Sequence, residues 1–260
     1  MLLGAHVSIS GGLQLAPERA MEIGCETIQI FSKNQRRWKA KPLTDEVAEA
    51  FKDAVQAAKL ESVVIHDSYL INLADPLEEG LRRSREAFVD EMERAQRLGV
   101  EFLIFHPGTH KGAGEDFGIK RIAESVDYCL GAADAPGVVL LLESTAGQGS
   151  SLGYTFDQLR AIREAVDDPS RVGYCLDTCH LFAAGYDIRD REGYERVMKE
   201  ASEVLGLERV RAFHLNDSKR ELKSRVDRHE HIGKGEIGLE AFRILLNDSR
   251  FEGVPMVLET

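Results

Sequence analysis

Cysteine is scarce in this chain, four in 260 residues, and the four fall in no paired spacing. A disulfide framework is therefore not expected. Neither is a closed thiolate metal site, which would need partner cysteines close by. Long apolar runs are missing too, since no stretch approaches the roughly 18 residues of a membrane span. The opening MLLGAHVSISGG has neither the basic region nor the apolar core of a signal peptide. These absences lead us to expect a cytoplasmic, reducing location and no membrane partner. Linkers, low-complexity tracts and breaks in composition are also absent, so one domain over residues 1–260 is expected. Positive charge is in deficit: 33 basic against 44 acidic residues give a formal net charge of −11. That balance disfavours a nucleic-acid partner. The local exception is KNQRRWKAK, Lys33 to Lys41, with five basic residues and no acid.

What is present is a 43% hydrophobic fraction arranged in regular alternation. The runs LGAHVS, TIQIF, SVVIHD, EFLIFHPG, VVLLLES, VGYCLDT, VRAFHLND and PMVLET are short and almost continuously apolar. They read as strands buried on both faces of a parallel sheet. Amphipathic stretches lie between them. TDEVAEAFKDAVQAAKL offers Thr44 as N-cap, with Val47, Phe51, Val55 and Ala58 at helical spacing. LEEGLRRSREAFVDEMERAQRLG stops at Gly99, and IKRIAESVDYCLGAA forms a third stretch. Strand followed by helix, with eight strands, predicts an α/β fold of the (β/α)8 TIM-barrel type. A doubly wound open sheet is the competing architecture. The sequence stops at Thr260, just after the eighth strand. The final helix is therefore missing from this sequence. If the chain ends there, the outer side of that strand is expected to be exposed and Glu259 loosely held, although a lost C-terminal segment is the favoured explanation.

The histidines are His6, His66, His106, His110, His180, His214, His229 and His231. Each is expected at the C-terminal end of a strand or in the loop after it, and none in a helix. In a barrel those positions share one face, where active sites are built. His66, His106 and His214 end the third, fourth and seventh strands. Glu143, Asp177 and Glu259 end the fifth, sixth and eighth. Parity puts Val64 with His66, Ile104 with His106, and Val139 and Leu141 with Glu143 on the interior side. By the same parity Cys175 would fill the interior below Asp177.

Three carboxylates aimed at one small space repel unless cations neutralise them. Imidazole and carboxylate without thiolate suit zinc or manganese. The loops add His180, expected on the turn after Asp177, and Asp227 and His229 from SRVDRHEHIGKGEIG. Nine donors exceed what one ion uses and suit two or three, with a carboxylate bridging. Multi-metal sites are a recurring solution for phosphoester hydrolysis.

HDSYLINLA, FHPGTH, ESTAGQGSSLGYTF, LDTCHLFAAGYD, HLNDSK, SRVDRHEHIGKGEIG and the final LET follow one another in this chain. Together they resemble the endonuclease IV family, zinc-dependent apurinic/apyrimidinic endonucleases of base-excision repair within the xylose-isomerase-like barrels. The resemblance runs from GAHVSISGG to the last residue. It implies three zinc ions, with manganese possible at some sites. His66, His106 and Glu143 would hold the first. Glu143 would bridge to the second, which also takes Asp177, His214 and Glu259. His180, Asp227 and His229 would hold the third.

The implied reaction is hydrolysis of the phosphodiester 5′ to an abasic site in duplex DNA, leaving a 3′-hydroxyl and a 5′-deoxyribose phosphate. Removal of 3′ blocking groups is implied as well. Glu143 would orient the attacking water. Arg36 and Tyr69 would enter the base stack, Arg228 would face phosphate or sugar, and a monomer is expected. Trp38 could serve as a packing anchor in the basic loop. His231 receives no metal; His6 and His110 are expected behind the ligands or at the phosphate. The alternative is a metal-dependent sugar isomerase or epimerase of the same barrel group, which needs fewer ligands and no basic loop. A non-catalytic metal- or DNA-binding protein would leave the convergence of polar groups in a barrel mouth without a reason.

Overall fold

A computed structural model describes residues 1–260. Eight parallel strands close into a barrel. They are β1 (Leu2–His6), β2 (Thr27–Phe31), β3 (Ser62–His66), β4 (Phe102–Phe105), β5 (Val139–Glu143), β6 (Val172–Asp177), β7 (Val210–Leu215) and, after two short strands described below, β10 (Pro255–Leu258). Closure comes from pairing the first strand with the last, Leu2 opposite Pro255 and Gly4 opposite Val257. That pairing excludes the open sheet. At Gly4 the strands approach so closely that a Cβ would meet the Thr27 carbonyl oxygen.

The outer helices are α1 (Leu15–Glu22), α2 (Asp45–Ala57), α3 (Glu78–Leu98), α4 (Glu115–Ala132), α5 (Phe156–Glu164), α7 (Arg191–Val204) and α8 (Leu239–Leu245). Thr44 caps α2 by accepting from the Val47 amide, and α3 ends on Gly99 at φ 71°. Both signals were readable in the sequence. No helix is long and apolar enough to cross a membrane.

Two apolar cores result. A large one lies between strands and helices, and a small one fills the barrel with Val64, Phe102, Ile104, Leu141, Cys175, Ala212 and Val257. Strand parity thus works as expected for Val64, Ile104, Leu141 and Cys175.

Two expectations need correction. The outer side of the last strand is not exposed: Met256 is fully buried in the outer core, which it shares with Phe213 of β7 and with Phe251 from the 3₁₀ turn Ser249–Phe251. Glu259 is not loosely held either, because it accepts hydrogen bonds from Gln29 (2.7 Å) and Asn216 (2.9 Å). The second correction concerns His180. It lies in the first turn of a seven-residue helix, α6 (Thr178–Ala184), rather than on an irregular turn. The cause is Asp177, which ends β6 and then caps α6, its Oδ1 accepting from the His180 amide at 2.8 Å.

Candidate metal centre

The nine sequence-selected donors meet at the C-terminal mouth of the barrel. Their ligand atoms form five overlapping close groups, three of which together use each donor once: His66, His106 and Glu143; Asp177, His214 and Glu259; His180, Asp227 and His229. The other two are Glu143, Asp177 and His180, and Asp177 and His229 with Cys179. Glu143 stands between the first two. Its Oε2 faces His66 Nε2 at 2.9 Å and His106 Nε2 at 3.1 Å, while its Oε1 faces His214 Nδ1 at 3.0 Å. One carboxylate therefore offers an oxygen to each group. Asp227 does the same within the third group, with Oδ2 3.2 Å from His180 Nε2 and Oδ1 3.2 Å from His229 Nε2.

Three of the imidazoles are oriented from behind. His66 Nδ1 lies 2.9 Å from the Asp67 carbonyl, which it can reach only as a donor, leaving Nε2 to the centre. His180 Nδ1 likewise donates to the Ser144 carbonyl at 2.8 Å. His214 is turned the other way, with Nε2 on the Gln29 amide oxygen at 2.7 Å and Nδ1 inward. Fixing one ring nitrogen selects the tautomer whose other nitrogen can bind a metal.

The charges show what the arrangement demands. Burial alone would raise the Glu143 carboxyl, but the His214 and His106 imidazoles outweigh it and hold it well below the ordinary range. Burial opposes Glu259 likewise, and His214 brings it down to about 2. His66 is disfavoured as a cation by burial, yet its hydrogen bonds to Asp67 and Glu143 lift it to about 10. Without metal, buried carboxylates at the mouth recruit protons onto neighbouring imidazoles. A divalent cation would replace those protons. The donor set fits one: His180 Nε2 and His229 Nε2 are buried with no hydrogen-bond partner, and both face Asp227. Nitrogen and carboxylate oxygen at such positions suit zinc or manganese.

The loop carrying Asp227 and His229 is held by a carboxylate that sequence reading missed. Asp217 is fully buried and accepts from the backbone N–H groups of Ser218, Gly233, Gly235 and Ile237. It also begins β8 (Asp217–Ser218), which pairs antiparallel with β9 (His229–Glu230). Gly235 must be glycine here, since a Cβ would lie 2.3 Å from the Ser218 carbonyl oxygen. Gln29 and Asn216 were missed too. Gln29 touches His6 (3.0 Å), Glu259 and His214, and Asn216 donates to both Asp177 (2.7 Å) and Glu259. The available signal for Gln29 was an amide side chain of inward parity in the middle of TIQIF.

The remaining candidates separate. His6 is joined to the donors only through Gln29, and burial lowers it to about 4, so it is neutral. His110 accepts from the Gly114 amide and thereby shapes its own loop, away from the three groups. His231 is exposed and belongs to none of them. Cys175 lies in the barrel interior, its thiol raised to about 11 by burial. Cys179 comes near Asp177 and His229, but burial raises its thiol to about 12 and it donates to the Arg228 carbonyl.

A groove of about 740 Å³ leads away from the centre, lined by His106, His180 and Asp227 and by Trp38, Tyr69 and Arg228. Tyr69 is 58% exposed, and Arg36 and Arg228 are exposed as well. The basic run is less uniform than its sequence suggests. Lys33 is buried and paired with Asp90 and Glu91 of α3, so four of its five cations remain outward.

Comparison with known proteins follows the same outline. Residues 17–260 match the family model described as xylose isomerase-like TIM barrel. A probable endonuclease 4 of Geobacter sulfurreducens is 51% identical over 258 residues, 99% of this chain and 87% of that protein. One from Chloroflexus aurantiacus is 50% identical over 257 residues, 99% and 90% of the two chains. The crystal structure of endonuclease IV from Thermus thermophilus superposes with a TM-score of 0.90 at 37% identity, covering all of this chain and 92% of that one. A D-psicose 3-epimerase from Clostridium cellulolyticum reaches a TM-score of 0.72 at 18% identity, covering all of this chain and 84% of that one, a likeness of fold alone.

Proposed function

The chain belongs to the endonuclease IV family, and on that footing we propose that it cuts duplex DNA at abasic sites with a centre of three zinc ions. The bond hydrolysed is the phosphodiester 5′ to the lesion, leaving a 3′-hydroxyl and a 5′-deoxyribose phosphate. Blocked 3′ ends are a second substrate class in this reading. The observation that carries it is Glu143, whose two oxygens face two different donor groups while a third group stands beside them. In the proposed assignment His66, His106 and Glu143 hold one ion. Glu143, Asp177, His214 and Glu259 hold the second, and His180, Asp227 and His229 the third. Bound zinc would supply Lewis acidity, polarising phosphate oxygens and making water nucleophilic near neutral pH.

The protein's own groups do the rest. Glu143, lying between two groups, orients the attacking water. The Asp67 and Ser144 carbonyls and the Gln29 amide keep the imidazoles aimed inward, so the site needs little rearrangement when substrate arrives. Arg36 and Tyr69 enter the base stack and stabilise an extruded nucleotide. Arg228, on the groove beside Asp227, faces the phosphate or sugar. The four outward cations of the Lys33–Lys41 run contact the backbone, in spite of the net charge of −11.

The test is a duplex containing a single synthetic abasic site, incubated without added magnesium. A nick on the 5′ side of the lesion is expected. An intact duplex, alongside turnover of a ketose or aldose, would overturn the reading.

A further inference from the structure

The Arg36-bearing loop is tied to the body of the protein by a buried charged cluster that takes no part in the metal centre. Asp90, Glu91 and Arg94 come from one face of α3. Arg94 grips both feet of the loop. Its guanidinium donates to the Ser32 carbonyl (2.6 Å) and hydroxyl (3.0 Å) at one foot, and to the Lys41 carbonyl (3.4 Å) at the other. Lys33 folds inward onto Asp90 and Glu91, and the Ser32 hydroxyl donates to Glu91. Ser32, Lys33, Glu91 and Arg94 are all buried, and burial pushes the Glu91 carboxyl up despite the Lys33 ammonium beside it.

Closer to the tip, Ser68 ties this loop to the neighbouring one. Its hydroxyl donates to the Gln35 carbonyl at 2.7 Å, one residue from Arg36, and Ser68 itself precedes Tyr69. Asn34 completes the turn, with its Oδ1 accepting from the Arg36 amide. Buried ion clusters of this kind are poor sources of stability, because desolvation offsets their attraction. What this one does provide is fixed geometry for the loop from Ser32 to Lys41, which an apolar contact would not specify.

We infer that Arg94 and Ser68 are positioning residues that hold Arg36 and Tyr69 in mutual register, so that the wedge is rigid before DNA arrives. The inference rests on the proposed role of Arg36 and Tyr69 in entering the base stack. Preorganisation acts on steps that need the wedge and leaves hydrolysis of a simple phosphodiester untouched. A misplaced wedge should lower the rate roughly ten- to a hundredfold.

The experiment compares zinc-loaded wild type with Ser68→Ala, Ser68→Thr and Arg94→Gln on two substrates. One is a duplex with a tetrahydrofuran abasic site opposite 2-aminopurine, whose fluorescence reports unstacking. The other is bis(p-nitrophenyl) phosphate, which has no base stack. Ser68→Ala and Arg94→Gln should lose kcat/KM and 2-aminopurine signal on the duplex while keeping wild-type turnover of the small diester, and Ser68→Thr should restore both. Should Arg94→Gln fail to fold, Ser68→Ala decides. Unchanged duplex kinetics and fluorescence in Ser68→Ala would overturn the inference, and so would equal losses on both substrates. A wild type that neither nicks nor unstacks the duplex would overturn the underlying reading as well, a result that is distinguishable because it precedes any variant.

Discussion

On six of the eight strands, a step of two residues separates an apolar plug from a charged mouth. Val64 precedes His66, Ile104 precedes His106, and Leu141 precedes Glu143. Cys175 precedes Asp177, Ala212 precedes His214, and Val257 precedes Glu259. All six lower residues are fully buried, and so, nearly, are Glu143, Asp177 and His214 above them. His106 and Glu259 are more open, their side chains 42% and 17% exposed, so burial only partly distinguishes the two layers and what divides them is chemistry. The lower layer closes the barrel by excluding water. The upper layer gathers carboxylates and imidazoles that only protons or cations can reconcile. The same inward parity serves stability at one level and reactivity at the next, as expected for the two ends of such barrels.

The comparison can be broken by exchanging the consequences of substitution between layers. Glu143→Gln should reduce cleavage of an abasic duplex by roughly a hundred- to a thousandfold or more, with lesion binding largely kept, read by gel nicking and fluorescence anisotropy. Ile104→Ala, one layer below the mouth, should do the opposite. It should cost about 2–5 kcal/mol of stability in denaturant titrations while the folded fraction retains its turnover. If Ile104→Ala lost activity per folded molecule and Glu143→Gln lost only stability, the two layers would not divide the work.

His6 sharpens the contrast, since it lies half-buried at the mouth yet belongs to none of the donor groups. Burial lowers it from its ordinary 6.5 to about 4, so protonation favours the unfolded chain. Its contribution to stability is therefore undiminished above about pH 6.5, falls as pH drops, and levels off below about pH 4. The loss should be on the order of 2–3 kcal/mol, seen as the difference between the wild-type and His6→Gln stability curves. Parallel curves would show that His6 is not buried neutral. The smallest effect is expected one contact further on. Gln29→Leu removes the amide shared by His214 and Glu259, and chelator competition should report a roughly ten- to hundredfold weaker metal affinity with the fold intact.

Much of this division was legible in the sequence, for a simple reason. Strand-end residues inherit their direction from parity, and parity is visible in Val64–His66 or Leu141–Glu143 without coordinates. Contacts across sequence distance were not. Asp217 reads as a polar loop residue until its oxygens meet amides 16 to 20 residues away. Gln29 reads as an anomaly in an apolar strand until His214 and Glu259 arrive from β7 and the end of β10. Lys33 carried the right charge for a DNA contact but faces α3, because charge alone does not say which way a side chain turns. His180 read as a turn because TCHLFAA is too short to show helical periodicity, although the Asp177 cap that starts its helix was in plain view.

The most direct test of the central claim is the metal content of freshly purified protein prepared without chelator. Elemental analysis should find about three zinc ions per chain, one for each donor group, and Glu143→Gln and His229→Ala should each lower that number. One ion or none per chain in the wild-type protein would contradict a mouth built from three donor groups.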